Sequence, residues 1–239
     1  MRITLRGHSC LEATTIDGSL LLDPGSFSQL DGAFAGISAV LLTHQHPDHA
    51  DQRQILAAVQ DSSLLRVYAP DALARILREQ LPAPKRAQII TVAPGEDFVV
   101  GGIRVRTFGG THATIHGSIE LVANVGYLLG DEQLFHPGDS YQMPIGIRPQ
   151  VLLLPLMAPW ARIGQTMDFA TALNAPVWVP IHDGLLNERG LNLFDTMLGA
   201  RAEANGSLLR RLEAGTTYLL DELAEGSGQN SGTPAGERK

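Results

Sequence analysis

The segment Thr43-His44-Gln45-His46-Pro47-Asp48-His49 constrains this chain more than any other. Three histidines and an aspartate fall within six residues, directly after an apolar run at 40–43 that reads as a strand. Imidazole nitrogens and carboxylate oxygens are good ligands for zinc and similar divalent ions. In a loop, His44 and His46 can face one point while Asp48 and His49 face a second. Spacing this tight suits two neighbouring ions better than one. The bland alternative is a solvated, histidine-rich loop.

Three further candidate ligands follow expected strands. His112 comes after a strand at 103–107 and the glycines Gly109 and Gly110. Asp139 lies in His136-Pro137-Gly138-Asp139-Ser140, after a strand at 133–135, where its alternative role is that of an ordinary turn residue. His182 follows a strand at 177–181. Four loops, each after a strand, thus carry ligand-type residues, and such loops gather at one sheet edge.

The rest of the chain alternates short apolar runs with helical patterns. Strands are expected at 3–5, 11–16, 20–23, 67–69, 88–92, 98–100, 120–123, 127–129, 151–154 and 216–220. Helices are expected at 50–60, 71–80, 164–174 and 193–204, the first capped by Asp48 or Asp51, the second ending before Pro82 and Pro84. The unbroken apolar run at 151–154 reads as a strand buried on both faces. The 239 residues fit one well-buried domain at 1–223. The segment 224–239, rich in Gly, Ser, Asn, Pro and charge, is expected to be a disordered tail.

Composition narrows the partners. A formal net charge of −7, scattered arginines and only Lys85 and Lys239 argue against a dedicated nucleic-acid binder. No apolar run is long enough to span a bilayer, and the first residues lack the apolar core of a signal peptide. The single cysteine, Cys10, allows no intrachain disulfide. Together these point to a cytoplasmic protein with a small-molecule substrate. They leave the oligomeric state open.

The order His44-x-His46-x-Asp48-His49, His112, Asp139, His182 resembles the metallo-β-lactamase fold superfamily. Leu22-Asp23-Pro24-Gly25 resembles that superfamily's early strand-end motif. Gly7-His8-Ser9-Cys10 is similar to the branch of ascorbate-phosphate lactonase-like and N-acyl phospholipase D-like hydrolases. The resemblance implies an α/β (α+β) chain folded as a four-layer αββα sandwich with metals at one edge. It further implies that His44, His46 and His112 hold one ion, that Asp48, His49 and His182 hold the other, and that Asp139 bridges them. Two such dications, zinc by preference and manganese or iron as alternatives, lower the pKa of a shared water so that hydroxide forms near neutral pH. The expected activity is hydrolysis of an ester, lactone or phosphoester. The net positive charge of such a centre favours a small anionic substrate. Asp48 and Asp139 would orient the nucleophile. The alternatives are a phosphodiesterase or nuclease acting on nucleic acid, and a non-catalytic metal-binding sensor.

Several residues carry two readings. His116 lines the pocket as a proton donor, or is a surface residue. His8 sits beside the metals, or is a satisfied buried histidine. Asp23 supports a ligand through a hydrogen bond. His136 reads as structural and Cys10 as a small buried side chain. Ser140 and Tyr141 are candidates to touch substrate. Met157 and Trp160 form a pocket wall, or simply pack.

Overall fold

The computed structural model describes residues 1–225. The tail expected at 224–239 therefore lies, from residue 226 onward, outside the described residues. In chain order the strands are β1 (Arg2–Leu5), β2 (Leu11–Thr14), β3 (Ser19–Leu22), β4 (Ala39–Leu41), β5 (Arg66–Ala69), β6 (Ile89–Thr91), β7 (Asp97–Val100), β8 (Ile103–Gly109), β9 (Val125–Leu129), β10 (Leu134–His136), β11 (Val151–Pro155), β12 (Val177–Ile181), β13 (Leu208–Leu209) and β14 (Thr217–Leu219). The helices are α1 (Gln52–Asp61), α2 (Asp71–Glu79), α3 (Ile163–Leu173) and α4 (Glu188–Ala204).

Two seven-stranded sheets result. One runs β14-β1-β2-β3-β4-β5-β6, the other β13-β12-β11-β10-β9-β8-β7. The period of two along the strands decides what each face meets. Leu20, Leu22 and Leu41 point between the sheets and join Val151, Leu153, Val177 and Val179 from the facing sheet. Their neighbours Leu21, Val40 and Leu42 point outward onto Ile55, Leu73 and Leu77 of α1 and α2. On the other side, Leu152, Leu154 and Trp178 pack on Phe169, Leu173 and Leu198 of α3 and α4. The layers are therefore helix, sheet, sheet, helix. At about 2 kcal/mol per fully buried large aliphatic side chain, the three apolar interfaces hold the stack together. Strands apolar on both faces, such as β11 and β12, require this arrangement.

The topology also decides where the loops go. Strands β3, β4, β5 and β6 pair in parallel, as do β10, β11, β12 and β13. Antiparallel pairing of β1 with β2, β2 with β3, β8 with β9 and β9 with β10 turns β1 and β8 the same way. The segments leaving β1, β3, β4, β8, β10, β11 and β12 thus share one edge of the sandwich.

Sequence expectations at three places give way to local chemistry. Residues 120–123 are not a strand. They are mostly exposed, and only single bonds such as His112 N–H to the Val122 carbonyl (3.0 Å) tie them down. Helix α4 begins five residues earlier than its apolar pattern suggests, because the Asn187 side chain accepts the Gly190 N–H (3.0 Å) and caps it. The short edge strand β13, only half buried, has too few residues to show a period.

Candidate metal centre

The loop after β4 is shaped by its neighbours. Asp51 caps α1 by accepting the Gln54 N–H (3.1 Å), which leaves Asp48 free for another task. The loop lies against Asp23-Pro24-Gly25: Ser26 N–H donates to the Pro47 carbonyl (2.8 Å) and Asp51 N–H to the Pro24 carbonyl (2.9 Å). A Cβ at Gly25 would sit 1.7 Å from the Asp48 carbonyl oxygen, so only glycine lets the two segments cross.

Two groups of side chains meet at this edge. His44, His46, His112 and Asp139 form one; His8, Asp48, His49 and His182 form the other. Within each, one potential ligand atom per residue lies within 4.8 Å of all the others. Asp139 joins the two: its Oδ1 is 3.0 Å from His49 Nε2, and its Oδ2 is 3.4 Å from His112 Nε2 and 3.2 Å from His182 Nε2.

The hydrogen bonds behind the rings fix which nitrogen faces inward. His44 Nδ1–H donates to Thr43 Oγ1 (2.9 Å), whose own hydroxyl donates to Asp23 Oδ2 (2.6 Å). His49 Nδ1–H donates to Asp23 Oδ2 (2.7 Å). His112 Nδ1–H donates to the Ala113 carbonyl (2.5 Å) and His182 Nδ1–H to the Met157 carbonyl (2.6 Å). With Nδ1 protonated, each neutral ring presents an Nε2 lone pair. Those four Nε2 atoms and Asp139 Oδ1 are buried without a hydrogen-bond partner. Lone pairs facing a carboxylate in a dry site repel. Either extra protons or a cation must lie between them.

His8 belongs to its group by distance but not by chemistry. Its Nδ1 accepts the Gly184 N–H (3.2 Å), so the proton is on Nε2, which donates to Asp48 Oδ2 (3.2 Å). His8 therefore holds a carboxylate in place and does not offer a lone pair. His136 has the same tautomer: it accepts the Gly138 N–H (3.1 Å) at Nδ1 and donates from Nε2 to the Ser9 carbonyl (2.9 Å).

Electrostatics follow this arrangement. Burial pushes the basicity of His44 well down, helped by the His49 charge. Burial opposes ionisation of Asp139, yet a charge on His49, with the His112 and His182 rings close by, holds its carboxyl well below the usual range. Burial likewise disfavours a charged His49, but the Asp139 and Asp23 carboxylates on either side raise its pKa well above the ordinary value. Burial also acts against Asp48, and the His8 hydrogen bond together with His49 outweighs it, leaving the carboxyl at about 2. One proton between His49 and Asp139 does what one metal ion would do, so binding an ion there releases that proton.

Backbone strain marks the same place. His8 (φ 51°), Asp23 (φ 44°) and His182 (φ 56°) occupy the left-handed region, which costs roughly 1 kcal/mol for such residues.

The chain matches the family described as a beta-lactamase superfamily domain over residues 2–182. It belongs to that superfamily. Protein Rv0786c of Mycobacterium tuberculosis is 38% identical over 190 residues, covering 78% of this chain and 85% of that protein. Among solved structures, the superfamily fold here is similar to Igni18, a metallo hydrolase from Ignicoccus hospitalis (TM-score 0.68, 19% identity, 91% of this chain and 97% of that one). It is also similar to CmlA, a diiron β-hydroxylase from Streptomyces venezuelae (TM-score 0.70, 18% identity, 91% of this chain and 53% of that one). Both likenesses are ones of fold.

All seven ligand candidates read from the sequence are brought together in this beta-lactamase superfamily chain, and Asp23 stands behind two of them. His116 is not: it is exposed on the loop after β8, where its Nδ1 engages Ser118 Oγ (2.8 Å), and it belongs to neither group. Trp160 does more than pack. Its indole N–H donates to Asp139 Oδ2 (2.8 Å), a contact across 21 residues that no spacing in the sequence announces. Tyr141 turns away to Thr166 Oγ1 (2.6 Å). A cavity of about 590 Å³ near Phe34 and Leu65 has Asp61 as its sole ionisable lining residue and offers no ligand set.

Proposed function

We propose that this chain is a metal-dependent hydrolase with a dinuclear centre that cleaves an ester, lactone or phosphoester bond of a small anionic substrate. The observation that carries the reading is the set of four buried imidazole Nε2 atoms and one carboxylate oxygen that converge without partners. The donor set, nitrogen from neutral imidazole and oxygen from carboxylate, fits two divalent ions. His44, His46, His112 and Asp139 would hold one. Asp48, His49 and His182 would hold the other, with Asp139 serving both. Zinc is the ion we expect. When bound, the ions supply Lewis acidity towards a water and towards the bond to be cleaved.

The chain's own residues supply the rest. Asp23 and the Met157 carbonyl orient His49 and His182, and Thr43 orients His44. Trp160 fixes one Asp139 oxygen, so this carboxylate cannot swing away from either group. His8 fixes Asp48 Oδ2. The Asp48 carboxylate, about a quarter exposed and held ionised by His8 and His49, can accept a hydrogen bond from an entering water and so orient it. Two dications outweigh the Asp48 and Asp139 charges, so the centre favours an anion despite the acidic chain. The buried lone cysteine fits a reducing compartment, and we place the protein in the cytoplasm. No helix among the described residues is long and apolar enough to cross a membrane.

The test is metal analysis joined to turnover over phosphodiesters, lactones and thioesters. His46→Ala and Asp48→Ala should each lose metal and activity together. Full turnover in either variant would remove the proposed roles, and a clear preference for neutral esters would remove the anionic substrate.

A further inference from the structure

Beside the centre lies a cavity of about 370 Å³ whose wall includes Thr114, Pro159, Trp160, Arg162 and Gln165. Trp160 is common to both: its N–H is on Asp139, and its ring lies edge-on to His112 with centroids 5.9 Å apart. Thr114 follows His112 by two residues. Trp160 thus stands between the cavity and the His44, His46, His112 and Asp139 group.

Arg162 supplies the charge in this cavity, on a solvent-exposed rim it shares with Thr114 and Gln165. Arg6, Arg75, Arg104, Arg106 and Arg211 each pair with a carboxylate. The Arg162 guanidinium, like those of Arg2, Arg53 and Arg189, has no hydrogen bond or ion pair among the described residues, and no acidic residue lines the cavity. Its backbone has a fixed place, because the Arg162 carbonyl accepts the Thr166 N–H (3.0 Å) at the start of α3. That 11-residue helix has no side-chain cap and no acidic residue in its first turn. Its first amides therefore add to the positive potential. An unpaired guanidinium, a side-chain amide and a hydroxyl around a polar cavity are complementary to a planar or tetrahedral oxyanion.

We infer that this cavity, through Arg162, Gln165 and Thr114, binds a carboxylate or phosphate group carried by the substrate, across Trp160 from the bond to be cleaved. The inference rests on the hydrolase reading for the word substrate, but anion binding at Arg162 does not need turnover. It divides the work: the dinuclear centre acts on the scissile bond, and a second, non-reacting anionic group anchors the molecule.

The experiment titrates the metal-loaded protein with inorganic phosphate, following tryptophan fluorescence and calorimetric heat. Wild type, Arg162→Ala and Gln165→Ala are compared, with ion content measured in each. Loss of one charge-assisted contact predicts phosphate affinity weaker by about tenfold or more in Arg162→Ala, and less so in Gln165→Ala, with ion content unchanged. A paired assay uses one ester with and without a distal carboxylate. The preference in kcat/KM for the charged ester should fall by about tenfold in Arg162→Ala. Phosphate binding that is absent in wild type, or equal in wild type and Arg162→Ala, would overturn the inference. A protein that binds phosphate through Arg162 yet hydrolyses no ester would instead count against the hydrolase reading alone.

Discussion

The two ligand groups use similar side chains but are held differently. His44 and His112 lean on neutral partners, the Thr43 hydroxyl and the Ala113 carbonyl. His46, in the same group, is only half buried. The group of Asp48, His49 and His182 is backed by Asp23, a carboxylate with no solvent exposure, by the Met157 carbonyl and by the His8 N–H. A buried anion behind an imidazole makes that ring a stronger donor and fixes its direction. The comparison teaches that an ion in the second group would be the more firmly held, because Asp23 touches one of its rings directly and reaches the first group only through Thr43.

The largest effect should come from the residue the groups share. Asp139→Ala is expected to reduce bound metal at both positions and to lower kcat/KM by about a thousandfold or more, read by elemental analysis and steady-state kinetics. If only one ion were lost and turnover persisted, Asp139 would belong to one group alone. Next, Asp23→Asn should weaken the ion held by His49 by about ten- to a hundredfold, and the ion held by His44, which Asp23 supports only through Thr43, by less. Competition with a chelator gives both constants. Equal losses would erase the contrast between the groups.

A smaller change is expected from His8→Phe, which removes the donor to Asp48: roughly tenfold weaker binding of the second ion, with His8→Gln recovering much of it. Direct ligation by His8 would show as complete loss of that ion in both variants. The smallest effect concerns the first group's support. Tyr127 reaches from β9 to the Leu42 carbonyl (2.9 Å), just before His44. Burial, and then Asp23 and Glu96, push its phenol pKa well above 10.0. The folded state thus keeps a proton that the unfolded chain releases. Stability is fully present below pH 10 and falls as pH climbs beyond it. Melting temperature above pH 10 should drop more steeply in wild type than in Tyr127→Phe. Parallel curves would remove Tyr127 as the cause.

How much of this was legible in the sequence depends on how each feature is encoded. The two-faced apolar runs in β11 and β12 and the helical periods of α1, α2 and α3 are local patterns, and they placed the layers. The HxHxDH turn is also local, and with His112, Asp139 and His182 in the order of the superfamily it picked out the side chains that meet at this edge. Asp23 was readable as a supporting carboxylate because it ends a strand before a Pro-Gly turn. What stayed hidden depends on long-range contacts. Trp160 meets Asp139 only after β11 and α3 are in place, and the His8 tautomer is decided by Gly184, 176 residues away. His116 carried two readings, pocket proton donor or surface residue, and the loop turns it outward to Ser118. Residues 120–123 carry apolar side chains that no layer covers, and Asn187 outweighs the Gly190 that hides the start of α4.

Anomalous diffraction at the zinc edge, from crystals grown with zinc in excess, tests the central claim most directly. Two peaks are expected. One should be bonded to His44, His46 and His112, the other to Asp48, His49 and His182, with Asp139 reaching both and His8 Nε2 on Asp48 rather than on the ion. A single peak, or none between these side chains, would contradict the account.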